Sequence, residues 1–569
     1  MNIKAVFTVL AVISLAFGMS QAPQPVTESS YIIQGSSLAD VRALVAEYGG
    51  EITHELGVIR AVGATLTPAQ VEALRAQAGI QRIYGNGSIE VAGKPGGEAQ
   101  GGNVNNVQET HYPTRVLADS LHASGIDGSG VGIAVLDTGL WKHDGIRNDG
   151  AGNLRIDAVY NAITDETVNP ASGDDPAGHG SHVASIAVSS LVTPEGKFNG
   201  IAPGAHLVSV QAFDELGQGS YADVIRAIDW VVANKANHNI RVLNLSFSAE
   251  PRSHYWDDPI NQAVMVAWQQ DIVVVVAAGN RGPAAMTIGV PGNVPYVITV
   301  GAMTDNYTED NEGDDVVASF SSTGPTYEGF VKPDVVVPGG HMLGLMQGNS
   351  HLATTYPEFY AGDKYFQMSG TSQAAGVASG VAALILQAYP GMSADDVKCT
   401  MMANAKPATT GKGNKRTLAY SVFQQGAGLV DALAAVSTPI TGCANQGLDI
   451  DADIAGTLHF GGRANQDING DFYVMGSDLS GSDGYAWDGS QSLSSGYLWT
   501  DGYLWTDGYL WTDAYLWTDT VGVDGYLWTD GYLWTDGYLW TDGYLWTDGY
   551  LWTDALTEMA TMSSWVEQE

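Results

Sequence analysis

Between about Val107 and Ser437 the sequence alternates short β-branched runs with stretches of helical spacing, and this alternation narrows the fold more than any other feature. The runs Val131–Leu136, Leu207–Val210, Val242–Leu245, Ile272–Val276 and Val297–Val300 are apolar almost throughout. A strand with one wet face alternates apolar and polar residues, whereas near-continuous apolar runs suit strands covered on both faces of a parallel sheet. Between the runs lie patterns such as Tyr221–Val232, with helical period. Strand and helix in turn imply an α/β domain built on a doubly wound, mostly parallel sheet.

Three segments in this region carry chemistry: Ala134-Val-Leu-Asp137-Thr-Gly-Leu140, Gly178-His179-Gly-Ser-His182-Val-Ala184 and Gly370-Thr-Ser372-Gln-Ala-Ala375. Asp137 follows a strand, while His179 and Ser372 stand where helical runs begin. A serine hydroxyl is unreactive at neutral pH until a base takes its proton, and histidine is the base suited to that task. A carboxylate fixes the imidazole tautomer and stabilises the imidazolium. The chain order Asp, His, Ser is the subtilisin order. With Asn280 in Ala277-Ala-Gly-Asn280-Arg-Gly282, these segments resemble the subtilase family of serine peptidases. Gly200–Gly204, Phe320–Pro325, Lys332–Pro338 and Gly426–Asp431 extend the resemblance across the domain.

The resemblance implies a subtilisin-like fold for 107–440 and an endopeptidase acting on proteins or peptides through Asp137, His179 and Ser372. It implies that Asn280 donates to the oxyanion, and that Ser246, Phe247, Ser248, Ala277, Ala278 and Gly279 line the cleft for the residue before the scissile bond. A minimal subtilase has glycine about where Ser248 sits, and a side chain there can narrow the pocket without naming a preferred residue. Gln373 and Gly376 replace the Met and Pro that usually follow the nucleophile; neither performs chemistry. The stretch from Pro338 to Ser369 is longer than a minimal subtilase needs and is expected to form a surface insertion near the nucleophile.

The N-terminus has Lys4, an apolar run from Ala5 to Gly18 and small residues to Ala22, the pattern of a secretory signal over 1–22. That run is shorter than the roughly 20 residues needed to span a bilayer, and no later segment qualifies. Residues 28–93 read as β-α-β-β-α-β: a strand at Tyr31–Gln34, a helix from Leu38, a strand pair between Thr53 and Leu66 broken at Gly57 and Gly63, a helix opened by Thr67-Pro-Ala-Gln70, and strands at Gln81–Tyr84 and Ser88–Val91. The unit resembles the inhibitor-type propeptide of subtilases, which makes it a cis inhibitor of its own enzyme, and the Gly- and Asn-rich 94–106 reads as a linker.

The chain has 24 Lys and Arg against 62 Asp and Glu, a net charge of −38, which argues against nucleic acid or an anionic membrane as partner. Cys399 and Cys443, exported, are expected to pair; two buried thiols are the alternative. His182, three residues after His179, reads as a satisfied core histidine because no glutamate completes a zinc pattern. The chemistry needs no cofactor and no catalytic metal. Many subtilases bind structural calcium, and Asp174, Asp175 and Glu309–Asp315 are the acidic candidates, yet without EF-hand spacing they read as solvated loops.

Residues 441–495 read as an acidic linker. Beyond them Gly-Tyr-Leu-Trp-Thr-Asp occurs nine times over 496–554, with Ala514 opening one copy, before a short tail at 555–569. Asp-Gly at the junctions makes the tail β-prone, with no identifiable partner. The whole describes a secreted endopeptidase made as an autoprocessed zymogen; the alternative is a cell-surface adhesion or scaffold protein using the repeats. A lipase would want Gly-x-Ser-x-Gly, which Gly370–Ala374 does not match.

Overall fold

Val273–Ala277 is buried along its whole length, as a strand with helices on both faces must be. It sits inside a nine-stranded sheet in a computed structural model that describes residues 28–91, 94–95, 110–308, 311–362, 364–410, 417–466, 470–474 and 484–486. The expected signal over 1–22, nearly all of the expected linker over 94–106, the repeats and the terminal tail lie outside the described residues.

The central strands run Ile298–Thr304, Val273–Ala277, Ile240–Leu245, Gly132–Asp137, His206–Gln211 and Ile156–Asn161. All neighbours in this series are parallel, and Val335–Pro338 joins Ile298–Thr304 in parallel as well. Antiparallel strands Val316–Val317 and Glu166–Val168 close the two edges. The sheet is thus mostly parallel, as the alternation required.

The helix Thr371–Ala388 packs against strands Ile240–Leu245, Val273–Ala277 and Ile298–Thr304 and against the helix His179–Val188. Small residues allow this proximity. A side chain at Gly376 would put its Cβ 3.0 Å from the Val183 carbonyl oxygen, so the glycine at the usual proline position brings the two helices together. Ser37 and Thr67 cap the N-terminal unit's two helices, Leu38–Glu47 and Pro68–Arg75, the latter through a complete capping box.

Three expectations are corrected. Gly63 does not break the strand pair: Glu51–Leu56 and Ala61–Leu66 turn through Gly57–Ile59, and Gly63 lies inside the second strand opposite His54, where a Cβ would come within 2.9 Å of the His54 Cβ. Ser88–Glu90 does not close the N-terminal sheet, whose four strands are Glu51–Leu56, Ala61–Leu66, Ser29–Gly35 and Ile80–Gly85. It pairs antiparallel with Gln218–Ser220 of the large domain instead.

The third correction concerns 441–474, which is not a spacer. Helix Ile450–Ile454 packs on Pro259–Gln269, Asp453 accepts hydrogen bonds from Tyr255 and Tyr296, and Phe460 and Ala464 are buried. Buried apolar residues too sparse to show a period hold this segment to the large domain.

Candidate active site

A parallel sheet gathers the ends of its strands at one edge, where loops and helix starts meet. Asp137 is the last residue of the Gly132–Asp137 strand, and His179 the first of its helix. Ser372 is the second residue of the Thr371–Ala388 helix, and Asn280 follows the Val273–Ala277 strand. All four are buried.

His179 Nδ1 lies 2.7 Å from Asp137 Oδ1. A carboxylate only accepts, so Nδ1 carries the hydrogen and Nε2 of the neutral ring is an acceptor. The Asp137 carboxylate also accepts from the Thr138 N–H at 2.8 Å. Ser372 Oγ donates to the Ser246 carbonyl at 2.9 Å, and Ser246 Oγ donates back to the Ser372 carbonyl at 3.2 Å. Asn244 and Ser379 extend that network behind the nucleophile.

Asn280 Oδ1 accepts from the Thr371 N–H at 2.9 Å and the Thr371 hydroxyl at 3.0 Å, which fixes the orientation of the amide. Its Nδ2 is buried and has no hydrogen-bond partner among the described residues. Buried amide donors are rarely left unpaired. This one stands beside the start of the nucleophile helix, whose own first N–H groups lack intrahelical acceptors.

The cleft candidates divide into side chains and main chain. Phe247 is fully buried with its ring against Phe213, 5.4 Å between centroids, so it offers the cleft its backbone. That backbone bridges antiparallel to Val91, and beyond Ser372 the strand Tyr365–Ser369 pairs with Lys94–Pro95. Ala277 and Ala278 are buried, and the Gly279 N–H donates to Thr371 Oγ1 at 3.1 Å.

His182 is fully buried beside the Phe366 carbonyl at 2.9 Å, and burial pushes its pKa down to about 3, so the ring stays neutral and Nε2 donates. Gln373 reaches toward its Nδ1 at 3.5 Å. The insertion after Pro338 folds back as a hairpin, Met342–Leu345 with Tyr365–Ser369, over an apolar cluster of Met346, Leu352, Phe366 and Met368. Its His351 and Leu352 N–H groups donate to the Pro176 and Ala177 carbonyls, just before His179.

Asp175, read from the sequence as part of a solvated loop, is placed differently by the structure. It is not solvated: both oxygens are buried, accepting from Thr138 Oγ1 at 2.7 Å, Gly178 N at 2.9 Å, Ser181 N at 2.7 Å and Ser181 Oγ at 2.6 Å. It therefore caps the helix that begins at His179, although the formal cap position is Gly178 at φ 98°. Burial raises its pKa. The available signal was an acidic residue just ahead of a helical run, the usual helix-start preference. Asp174 is exposed, and among the described residues no group of three or more His, Cys, Asp or Glu is arranged to hold a metal. Cys399 and Cys443 are bonded, with Cα atoms 5.2 Å apart.

Residues 128–428 match the model of the Subtilase family. Serine protease AprX of Bacillus subtilis is 33% identical over 361 residues, spanning 62% of this chain and 76% of that protein. Subtilisin E of the same organism is 27% identical over 446 residues, covering 76% of this chain and 98% of its own. In structure, the fold is similar to fervidolysin from Fervidobacterium pennivorans, described as a keratinolytic enzyme related to subtilisin. The TM-score is 0.56 and the identity 22%, over 74% of this chain and 62% of that one.

Proposed function

The chain belongs to the subtilase family and is a subtilisin-like serine endopeptidase; on that premise we propose that it is exported as a zymogen and hydrolyses proteins through Asp137, His179 and Ser372. The observation that carries the residue assignment is the buried 2.7 Å contact between His179 Nδ1 and Asp137, which orients Nε2 as the acceptor for a serine proton.

Ser372 Oγ turns from the Ser246 carbonyl and attacks the substrate carbonyl carbon as its proton passes to His179 Nε2. Asp137 holds the ring and stabilises the imidazolium without being protonated. The carbonyl oxygen becomes an oxyanion, which accepts from Asn280 Nδ2 and from an N–H at the start of the nucleophile helix. The C–N bond then breaks, His179 returns the proton to the departing amine, and an acyl-serine ester remains. Water repeats the sequence on the ester, releases the acid and restores Ser372. Side chains, backbone N–H groups and water supply every step, so the chemistry needs no cofactor.

The zymogen reading rests on the path of the N-terminal unit. Ser88–Glu90 lies along Gln218–Ser220 and Val91 bridges to Phe247; Lys94–Pro95 resumes on Met368–Ser369, across the nucleophile. An extended chain on both sides of Ser372 is in the position of a substrate, and residues 28–93 in that position act as inhibitor. Arg226 donates to the Thr53 carbonyl and Asp229 accepts from the Gly57 N–H, so the unit is also docked away from the cleft. Export is supported by the signal-like start; no helix among the described residues is long and apolar enough to cross a membrane.

The test is casein and peptide hydrolysis by purified full-length protein, its Ser372→Ala variant, and wild type treated with a serine-directed fluorophosphonate. Loss of turnover in both of the latter supports the assignment. Turnover in Ser372→Ala equal to wild type overturns it.

A further inference from the structure

A peptide that pairs with Phe247 as Val91 does presents its next residue beside Ser246, whose carbonyl is 2.9 Å from Ser372 Oγ. That next residue carries the carbonyl to be attacked. Its side chain enters the slot between Ser246–Ser248 and Ala277–Gly279. Gly289 closes the slot from below: its N–H donates to the Ala278 carbonyl at 3.1 Å, and the adjoining Val290 exchanges backbone hydrogen bonds with Ala249 at 2.7 Å. Floor and both walls are therefore one hydrogen-bonded frame, which does not widen by moving a loop.

Inside this frame stands the hydroxyl of Ser248. A Cβ built on Gly289 would fall 1.9 Å from Ser248 Oγ, and one built on Gly279 would fall 2.7 Å from the same atom. One oxygen thus rests against the floor and against the facing wall together. Ser248 is 3% exposed, so its hydroxyl is enclosed where these two glycines approach it. Gly279, at φ 106°, and Gly289 offer no side chains that could withdraw to make room.

Resting on the proposed function above, we propose that Ser248 sets the specificity of the enzyme by filling its primary pocket, restricting the residue before the scissile bond to alanine, glycine or serine. A methyl or hydroxymethyl group fits above the Ser248 hydroxyl. Leucine or phenylalanine must push it into Gly289 or Gly279, and close-packed backbone does not yield cheaply.

The test is kcat/KM on succinyl tripeptide anilides that differ only in the residue before the anilide, alanine or phenylalanine, for wild type, Ser248→Gly and Ser248→Ala. Wild type is expected to favour alanine at least tenfold, and Ser248→Gly to lower the alanine-to-phenylalanine ratio by about 10–200-fold, the range that small changes of pocket volume produce. Ser248→Ala, which keeps Cβ, should fall between them. Should Ser248→Gly not mature, the wild-type ratio and the cut sites of wild type in an oxidised insulin B chain digest decide alone. Cleavage after phenylalanine as fast as after alanine, or a ratio unmoved by Ser248→Gly, overturns the pocket assignment while fluorophosphonate labelling leaves the endopeptidase reading standing. Absence of both labelling and hydrolysis overturns the two together.

Discussion

Replacing Asp175 tests whether the helix start that carries His179 is held from outside the triad. Oδ1 accepts from Thr138 Oγ1 and Gly178 N, and Oδ2 from Ser181 N and Ser181 Oγ. Asparagine has the same shape, but its amide nitrogen must face one of these pairs. In each pair the hydroxyl can turn and accept, while the backbone N–H cannot, so Asp175→Asn strands one buried N–H at a cost of about 1–3 kcal/mol. A neutral side chain also escapes the burial that raises the Asp175 pKa, which offsets part of that loss. The net expectation is about 1–2 kcal/mol for Asp175→Asn and about 2–5 kcal/mol for Asp175→Ala, which strands both N–H groups and opens a cavity.

The assay is urea unfolding of the full chain in a Ser372→Ala background, which removes self-digestion, with kcat measured in the catalytically intact variants. Because the stranded donors are Gly178 N and Ser181 N, on either side of His179, kcat should fall tenfold or more as the imidazole loses its alignment. KM should change little, since no substrate contact is removed. Wild-type unfolding and wild-type kcat in Asp175→Ala would refute the reasoning, because four buried hydrogen bonds cannot vanish from a rigid helix start without effect.

Ser372→Ala is expected to retain residues 28–93 by intact mass, whereas active enzyme begins between Val91 and Lys94, the stretch flanked by the two backbone pairings across the nucleophile. Replacing both Cys399 and Cys443 by alanine should cost about 4 kcal/mol by the chain-entropy relation for a 44-residue separation; an unchanged urea midpoint contradicts this. Burial pushes the Asp258 pKa from 3.8 up to about 7, so folding takes up a proton between those values. The stabilising contribution is complete below about pH 3.8 and is lost as pH rises through 7, and Asp258→Asn in the Ser372→Ala background should flatten that slope. Deleting residues 496–569 should leave small-peptide turnover within about twofold, since the proposed chemistry lies between Asp137 and Ser372, and should reduce retention on cells or polysaccharide if nine repeats act by avidity.

The central sheet was legible because its cause is local. Val273–Ala277 can be buried on both faces only if every position is apolar, and that requirement is written in consecutive residues. The segments proposed to carry the triad stand out for a different reason: each proposed member sits beside glycines in a compact motif, and three such motifs in one order point to a chemistry. Asp175 was not legible, because nothing in an isolated aspartate says whether its oxygens meet water or four protein donors. Segment 441–474 was misread for the related reason that its few apolar residues, Phe460 and Ala464 among them, are buried by distant partners and follow no period.

Ser88–Glu90 shows where this limit falls for function. Its sequence says strand, and it is one. Strand propensity describes a pleated, half-buried surface and does not name the neighbour. Its position after four strands and two helices favoured the small sheet at hand, yet the partner strand is Gln218–Ser220 of the large domain, Ser88 opposite Ser220 and Glu90 opposite Gln218. The difference decides the reading of the whole N-terminal unit. Paired at home, Ser88–Glu90 would finish a free-standing small domain; paired with Gln218–Ser220, it leads Val91 onto Phe247 and directs the chain to Ser372. On the proposed function, the backbone groups that take up the unit's last strand are those an extended substrate would use, so inhibition and substrate recognition would draw on one set of hydrogen bonds. Under the proposed zymogen reading, a protein substrate competes with residues 88–91 for Gln218–Ser220 and Phe247, and activity awaits their release.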